Sequence, residues 1–495
     1  MGRRIANDPV RSRLQGGGVI PVDLLSGRRG CIPCADWLFP RTLGFRSQSQ
    51  SGNHILFWWP LQDSLLLALV SPWFFQAPTV FSPFHPHFSD GLTDSMSQVP
   101  VPLPVGFLAA GLHCGVKKDP SLFDLALFVS QSPAAAAGVF TTNLVHGAPV
   151  KVSRRRVPRA SARAVVINSG NSNACTGDQG IADAEWMTAE VARQLQCAAE
   201  DVLVCSTGVI GRFLPKDKLE GGIPHVAAAL AATDAALLDA ARGIMTTDTF
   251  PKQATRAGKL GGRMVRISGV AKGAAMIAPN MGTMLSVILT DARLTPAEAD
   301  AALRHAVDRS FNCISVEGHM STSDTVILLA NGAAGAGPST PAERQQFQEW
   351  LDAVAADLAQ QIIRDAEGAD HEIEITVRGL KSRADAFRIA KSVADSPLVK
   401  TAITGADPNW GRIVSAVGYA GVPLAESDIT LHLNGLLLYK SGVPQPFDAA
   451  VVSRGIRENR RVLIELDFPL GNESVKFWTC DLTAEYVRLN ADYTT

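Results

Sequence analysis

Gly282 and Thr283 form a dipeptide that can do chemistry without help from a distant residue. The Thr283 hydroxyl can attack the carbonyl of Gly282, which offers little steric hindrance and wide φ/ψ freedom. Hydrolysis of the resulting ester would cut the chain and leave Thr283 with a free α-amine. Because the pKa of such an amine is near ~7.7–8.0, it can act as the base for the Thr283 hydroxyl at neutral pH. By itself, however, a Gly-Thr pair at the start of a strand favours plain structure.

The segment around this dipeptide, residues 272–291, predicts a loop that enters a strand. Small or turn-prone residues come first, among them Gly273, Pro279 and Gly282. The following residues, 284–289, are apolar and partly β-branched, which is typical of a buried strand. Thr283 therefore lies where a tight loop becomes a strand.

Four other residues carry groups that suit acyl transfer. Thr207 and Gly208 follow a short apolar strand, so a hydroxyl and a backbone N–H can point at one spot, as an oxyanion hole requires. Thr246 begins a cluster of three threonines and an aspartate, and Lys272 has apolar neighbours and could neutralise a substrate carboxylate. From spacing alone, the alternatives are a simple turn, helix-end capping and a solvated loop lysine.

Residues 278–292, APNMGTMLSVILTDA, resemble the self-cleavage segment of the ornithine acetyltransferase family. This family is also called bifunctional glutamate N-acetyltransferase and acts in arginine biosynthesis. The STGVIG and TTDT sequences at residues 206–211 and 246–249 are similar to family segments, and the resemblance extends from Val105 to Thr495. The family more often has Ala at the position of Gly282. Both residues are small, so we expect cleavage to be retained.

The resemblance implies a role for each candidate residue. Thr283 is the nucleophile and forms the cleavage site with Gly282, while Thr207 and Gly208 form the oxyanion hole. The implied substrate contacts are Thr246, Lys272, Thr283, Glu367, Asn490 and Thr495. Residues 317–320 and 369–371 depart from the family pattern, so the local shape there is not carried over.

Strands that alternate with helices, often in hairpins, predict an α/β sandwich with layered sheets. The resemblance specifies an αββα arrangement, an α chain at residues 96–282, a β chain at residues 283–495 and an α2β2 heterotetramer. It implies acetyl transfer from N2-acetylornithine to glutamate through an acetyl ester on Thr283, without a metal or a cofactor. Whether acetyl-CoA also donates stays open.

Two other functions remain open at this stage. One is an amidohydrolase or aminopeptidase on a related self-processing fold, in which water replaces glutamate and free acetate is the product. The other is an amino-acid-binding protein that never cleaves itself and would run as one chain on a denaturing gel.

The charge balance argues against a nucleic-acid surface or a basic membrane patch. The 495 residues contain 46 Lys plus Arg and 47 Asp plus Glu, for a net charge of −1. The eight cysteines are scattered singly except for Cys31 and Cys34. Those two have zinc-like spacing, but no second Cys/His pair follows them nearby. We expect reduced thiols and a cytoplasmic protein, with the mitochondrial matrix as the alternative.

Residues 1–95 differ in composition from the rest of the chain. They contain eight Arg but no Lys and no Glu. Their most apolar part is interrupted by Pro60, Asp63 and Pro72, whereas a spanning helix needs about 20 uninterrupted apolar residues. An Arg-rich segment poor in acids resembles a transit peptide, but Asp8 and Asp23 count against one. We interpret these residues as a disordered extension or as sequence upstream of a natural start at Met96.

Local signals predict most of the remaining elements. Capping boxes begin helices at Thr295 and Thr340, and the second helix has an apolar stripe of Phe347, Leu351, Val354, Leu358 and Ile362. Gly368 is the expected C-cap of that helix. We also predict a helical region over 223–244, a loop over 168–177, a strand pair over 312–332, and hairpins over 429–438 and 462–480.

Overall fold

A computed structural model of the chain describes residues 100–277 and 284–492. The predicted extension at residues 1–95 lies outside these ranges, as do Gly282, Thr283 and Thr495. The strands are β1 Phe107–Leu112, β2 Leu125–Phe140, β3 Arg159–Asn171, β4 Val202–Val209, β5 Lys252–Leu260, β6 Arg263–Lys272, β7 Leu285–Thr290, β8 Ile314–Ser315, β9 Thr325–Ala330, β10 Glu372–Leu380, β11 Thr430–Leu433, β12 Leu436–Lys440, β13 Val443–Pro444, β14 Arg461–Asp467 and β15 Glu473–Cys480.

The helices of the described residues lie singly or in short runs among these strands. They are α1 Ala148–Arg154, α2 Gly177–Leu195, α3 Lys216–Ala228, α4 Asp234–Gly243, α5 Pro296–Arg309, α6 Pro341–Arg364, α7 Arg383–Ala394, α8 Pro397–Thr404, α9 Trp410–Gly418, α10 Ala449–Arg457 and α11 Ala484–Asp492. None of them is both long and apolar enough to cross a membrane.

The first sheet is bent at its longest strand, β2. Its strand order is β4-β3-β2-β9-β7-β6-β5, with β1 also paired to β2. The register between β2 and β3 shifts between Val129 and Ala134, and the three residues at 131–133 are exposed. The early part of β2 pairs with β1 and β3, and the later part pairs with β9. The bend thus divides the sheet into a first limb (β1, early β2, β3, β4) and a second limb (late β2, β9, β7, β6, β5).

These two limbs face each other across one apolar core and form the inner layers of an αββα sandwich. Phe128 and Ile167 from the first limb share this core with Val287 and Ile327 from the second. Helices α1 to α3 cover the outer face of the first limb, where Met187 is fully buried. Helices α5 and α6 cover the outer face of the second limb. The predicted sandwich of layered sheets is therefore confirmed.

A second sheet lies on the far side of α6. Its order is β13-β12-β11-β14-β10-β15-β8, and its apolar residues share a core with α5, α6 and α7. The predicted stripe on α6, from Phe347 to Ile362, is buried in this core, and both capping boxes are present, at Thr295 and at Thr340. Because α6 is buried on two sides, it packs both on the second limb of the first sheet and on the second sheet.

Four predicted elements differ in the structure. The strands at 462–480 do not form a hairpin, because β10 lies between β14 and β15 and pairs with both. Strands β8 and β9 do not pair with each other, because they belong to different sheets. The helical region over 223–244 is two helices, α3 and α4, and α6 ends at Arg364 with Asp365 rather than Gly368 as its C-cap. The predicted hairpin at 429–438 is present as β11 and β12.

Candidate active site

Six of the sequence-predicted residues meet around one cavity of about 270 Å³. They come from distant parts of the chain, and the fold brings them to the ends of several strands and helices. These residues are Thr207, Gly208, Thr246, Lys272, Glu367 and Asn490. The cavity is thus the place where every described candidate of the sequence analysis is found.

Thr207 and Gly208 are held at the end of β4 by its parallel pairing with β3. The register places Ser169 beside Thr207 and Gly170 beside Gly208. Gly208 has φ 127°, and a Cβ there would lie 2.4 Å from the carbonyl carbon of Gly170. Only glycine fits this close approach of two backbones. The Gly208 peptide is therefore fixed next to the buried hydroxyl of Thr207.

The predicted loop at 168–177 begins later than expected, because its first residues extend β3 to Asn171. Asn168 is buried, and its Oδ1 accepts a hydrogen bond from Ser206 Oγ at 2.6 Å. Its Nδ2 donates to the carbonyl of Asn171 at 2.8 Å. Asn168 thus connects the ends of β3 and β4 next to the two oxyanion candidates, Thr207 and Gly208.

Lys272 is the last residue of β6, and its ammonium group connects both threonine sites. Nζ donates to Thr246 Oγ1 at 2.6 Å and to Thr207 Oγ1 at 3.4 Å. The residue is 2% exposed, so the alternative of a solvated loop lysine is wrong. Burial lowers the pKa of Lys272, although Asp248 acts to raise it. A charged amine kept out of water is a strong partner for a carboxylate.

Lys272 is the first member of a series of buried charged side chains that pair with one another. Asp248 Oδ2 lies 3.9 Å from Lys272 Nζ, and Asp248 Oδ1 lies 2.6 Å from Lys252 Nζ. Lys252 Nζ is also 2.6 Å from Asp365 Oδ2. Burial acts to raise the pKa of Asp248, but Lys252 and Lys272 hold it well below its ordinary value. Asp248 is therefore an anion that balances two buried lysines.

Asp248 also fixes the backbone on both sides of the cavity wall. Its Oδ2 accepts from the N–H of Thr246 at 2.9 Å, and its Oδ1 accepts from the N–H of Gly273 at 2.6 Å. Helix-end capping was the sequence-based explanation for this cluster. It is wrong for Asp248, because α4 already ends at Gly243 and the carboxylate instead joins the loop after α4 to the end of β6.

The described chain resumes at Met284, beside the same strand ends. The Met284 N–H donates to Asp324 Oδ1 at 3.0 Å, and its carbonyl accepts from the N–H of Thr325 at 3.1 Å. Leu285 then pairs with Lys272 on β6 and with Thr325 on β9. The residue that follows Thr283 in the sequence is thus anchored next to the end of β6, where Lys272 lies.

The acidic side of the cavity is formed by a loop after α6 and by the C-terminal helix. Glu367 follows α6, and its Oε2 accepts from Asn490 Nδ2 at 3.1 Å. Asn490 lies on α11. Gly368 has φ 68°, and a Cβ there would meet the backbone N of Tyr486 at 2.4 Å. This glycine allows the helix to approach Glu367.

Sequence reasoning missed three buried carboxylates, one half-buried carboxylate and a buried lysine near this cavity: Asp248, Asp365, Asp324, Glu317 and Lys252. Each lies in a segment with an ordinary local explanation, so composition and spacing carry no signal for them. Only the residue type gives a hint, because charged residues are rarely fully buried without a partner. Within the described residues, no group of three or more His, Cys, Asp or Glu side chains is placed to hold a metal ion.

The charged cavity at the strand ends of an α/β sandwich defines an enzyme-type site for small, charged substrates. Residues 108–495 match the model of the ArgJ family. The arginine biosynthesis bifunctional protein ArgJ of Geobacter sulfurreducens is 45% identical over 395 residues, which cover 79% of this chain and 99% of that relative. The chain therefore belongs to the ArgJ family, and the predicted membership is confirmed.

A second relative agrees with this assignment, and the sequence is also similar to that of a solved structure. The mitochondrial arginine biosynthesis bifunctional protein ArgJ of Candida albicans is 43% identical over 432 residues, which cover 82% of this chain and 97% of that relative. The ornithine acetyltransferase of Mycobacterium tuberculosis, solved in complex with ornithine, is 41% identical, with a TM-score of 0.33. That match covers 36% of this chain and 92% of the solved chain.

Proposed function

We propose that this chain is a self-processing acetyltransferase of arginine biosynthesis that moves the acetyl group of N2-acetylornithine to glutamate. The observation that carries the proposal is the cavity itself. It gathers two threonine hydroxyls around a buried ammonium group, Lys272, and places a carboxylate, Glu367, among the residues of its wall. Such a site suits substrates that carry both a carboxylate and an amine. The ArgJ membership supports the same reaction.

Processing comes first in this proposal. Thr283 Oγ attacks the Gly282 carbonyl, the peptide becomes an ester, and water hydrolyses the ester. The products are an α chain that ends at Gly282 and a β chain that begins at Thr283. Support comes from Met284, the residue after Thr283, because Asp324 and Thr325 hold its backbone on both sides at the start of β7.

Transfer follows a ping-pong scheme. Thr283 Oγ attacks the acetyl carbon of N2-acetylornithine, and the Thr283 α-amine takes the hydroxyl proton and gives it to the departing ornithine nitrogen. The amine of glutamate then attacks the acetyl ester, which releases N-acetylglutamate and restores the hydroxyl. Neither step needs a metal or a cofactor.

Thr207 and Gly208 stabilise the oxyanion of both steps. Because the Lys272 ammonium donates to Thr207 Oγ1, the hydroxyl proton of Thr207 remains available to another acceptor. The charge of Lys272 also makes this hydroxyl a stronger donor. Donors fixed in this way in a buried site stabilise negative charge as it develops.

The substrate contacts follow from the charges. Lys272 and Thr246 hold the α-carboxylate, while Glu367 and Asn490 hold the distal amine of the donor, together with Thr495 of the tail. An α2β2 assembly of the two chains belongs to the same proposal. The use of acetyl-CoA and the compartment, cytoplasm or mitochondrial matrix, remain predictions.

Incubation with N2-acetylornithine and glutamate tests this function. We expect N-acetylglutamate and ornithine in equal amounts, and two bands on a denaturing gel. Free acetate in place of N-acetylglutamate would instead identify a hydrolase. A single band without any product would indicate a binding protein.

A further inference from the structure

Glu317 is a second carboxylate in the cavity wall, and the reaction scheme gives it no role. It follows β8 in the chain and lines the cavity with Glu367. Its Oε1 accepts from the N–H of Ile277 at 2.6 Å. Its Oε2 is buried and makes no hydrogen bond to the residues that the structure describes. A carboxylate oxygen buried without a partner is costly, so one expects a ligand or a proton to satisfy it.

Among the described residues, neither carboxylate of the cavity, Glu317 or Glu367, forms a direct ion pair. Glu367 still interacts electrostatically with Lys272, and Glu317 interacts with Lys400. Lys272 Nζ is bonded to two threonine hydroxyls, so the cavity wall presents one buried ammonium group and two carboxyl groups. This arrangement matches a substrate with a carboxylate at one end and an ammonium group at the other.

The surroundings of Glu317 allow it to gain or lose a proton near neutral pH. Burial raises its pKa to about 7, against the backbone N–H groups of Ile277 and Met276. Lys400 on α8 acts to lower this pKa, and Glu367 acts to raise it. Tyr486 on α11 and Cys480 on β15 also face this carboxyl group, and the exposed His319 lies two residues along the chain.

The proposed reaction presents this wall with two substrates of opposite side-chain charge. N2-acetylornithine carries a distal ammonium group, whereas glutamate carries a distal carboxylate. If Glu317 and Glu367 were both charged, the glutamate carboxylate would face two like charges, and like-charge contacts in a buried site cost several kcal/mol. A wall of fixed charge therefore cannot suit both substrates.

We propose that Glu317 is the specificity-determining residue that allows one cavity to accept both substrates, by binding the donor as a carboxylate and the acceptor as a neutral acid. This inference rests on the proposed function. In the first state Glu317 pairs with the ammonium group of N2-acetylornithine. When glutamate replaces ornithine, Glu317 takes one proton from solvent and its new O–H donates to the glutamate carboxylate. The proton returns to solvent when the next donor binds.

The KM values of the cleaved wild-type protein, measured from about pH 6 to 8.5, test this inference. The KM for N2-acetylornithine should fall as pH rises through about 7, because the charged form of Glu317 binds the ammonium group. The KM for glutamate should rise over the same range, because the neutral form is lost. The Thr283 α-amine also titrates in this range, but it acts on both half-reactions in the same direction.

Glu317→Gln fixes the neutral state with nearly the same shape. We expect the KM for N2-acetylornithine to rise roughly 10- to 100-fold, as for the loss of a hydrogen bond to a charged group. The KM for glutamate should stay low and no longer depend on pH near 7. The exposed Glu349 on α6 provides the matched control, since Glu349→Gln should behave as wild type. His319 is unchanged in both variants, so its titration cannot cause the difference.

The outcomes separate this inference from the proposed function. Absence of N-acetylglutamate from the wild type would overturn both. Two outcomes would overturn only the role of Glu317. One is transfer in which the KM values for N2-acetylornithine and glutamate change in the same direction with pH. The other is a Glu317→Gln variant with wild-type KM values. If Glu317→Gln fails to fold or to cleave, the opposed wild-type profiles still decide, and Glu317→Asp should preserve them.

Discussion

Lys272 and Lys252 are buried lysines that both lie near the Asp248 carboxylate. Replacement by Met should reduce activity at Lys272 and stability at Lys252. Lys252 Nζ lies 2.6 Å from both Asp248 and Asp365, whereas Lys272 Nζ lies 3.9 Å from Asp248 and bonds to two threonines of the cavity. We therefore expect the first lysine to stabilise the fold and the second to bind the substrate.

Lys252→Met should destabilise the protein. It leaves Asp248 and Asp365 buried with only the more distant Lys272 nearby. Loss of one partner from a buried ion pair costs about 3–5 kcal/mol, because the remaining charge stays desolvated. We expect a fall of several degrees in Tm and a lower yield of folded protein.

Lys272→Met should preserve the fold and reduce activity. Asp248 retains its closer partner, Lys252, so the charge balance behind the cavity survives. The substrate carboxylate, in contrast, loses its cation in a buried site, which costs about 2–4 kcal/mol, or roughly 30- to 700-fold in kcat/KM. Part of this loss should appear as a higher KM for both substrates, because the charge is present before and during the reaction. The other part should appear as a lower kcat, because Lys272 also strengthens the Thr207 donor.

Thermal melting, a denaturing gel and steady-state kinetics on both variants make the comparison. The gel reports whether each variant still cleaves, so that kinetics are compared only on two-chain protein. A Lys272→Met variant with wild-type KM values would refute the assignment of Lys272 to the substrate carboxylate. A Lys252→Met variant that melts like wild type would refute the structural role of this series of buried charged side chains.

Two further changes test the remaining candidates. Thr207→Ala should lower kcat by about 10²–10³-fold, since it removes one oxyanion donor. Thr207→Ser keeps the hydroxyl and should retain most activity. Equal kinetics for the two variants would exclude an oxyanion-donor role for the Thr207 hydroxyl. Deletion of residues 491–495 should leave self-cleavage intact, because that chemistry needs no substrate. The deletion should raise KM, because it removes Thr495 and loosens the end of α11, which carries Asn490. Unchanged turnover would show that the tail does not bind substrate, and loss of cleavage would place it in the folding core.

Local signals in the sequence predicted the elements that depend on neighbours along the chain. The capping boxes at Thr295 and Thr340 depend on residues three positions apart, and the stripe on α6 depends on helical periodicity. Both are present. Strand pairing over long separations was less predictable. Nothing in the apolar pattern of β14 and β15 shows that β10 lies between them.

The same distinction applies to the site. The family resemblance indicated Thr207, Gly208, Thr246, Lys272, Glu367 and Asn490, and the fold brings all six to one cavity. It did not indicate the charges that support them. Asp248 and Asp365 meet at Lys252 across 117 residues of chain, because β5 begins beside the end of α6. Only tertiary structure creates that contact.

Intact-mass analysis after incubation with N2-acetylornithine alone tests the central claim most directly. We expect two chains, with the second beginning at Thr283 and carrying one acetyl group on that residue. Addition of glutamate should remove the acetyl group as N-acetylglutamate, and Thr283→Ala should remain a single, unacetylated chain. An uncut chain with full transferase activity, or an acetyl group on another residue, would contradict the account.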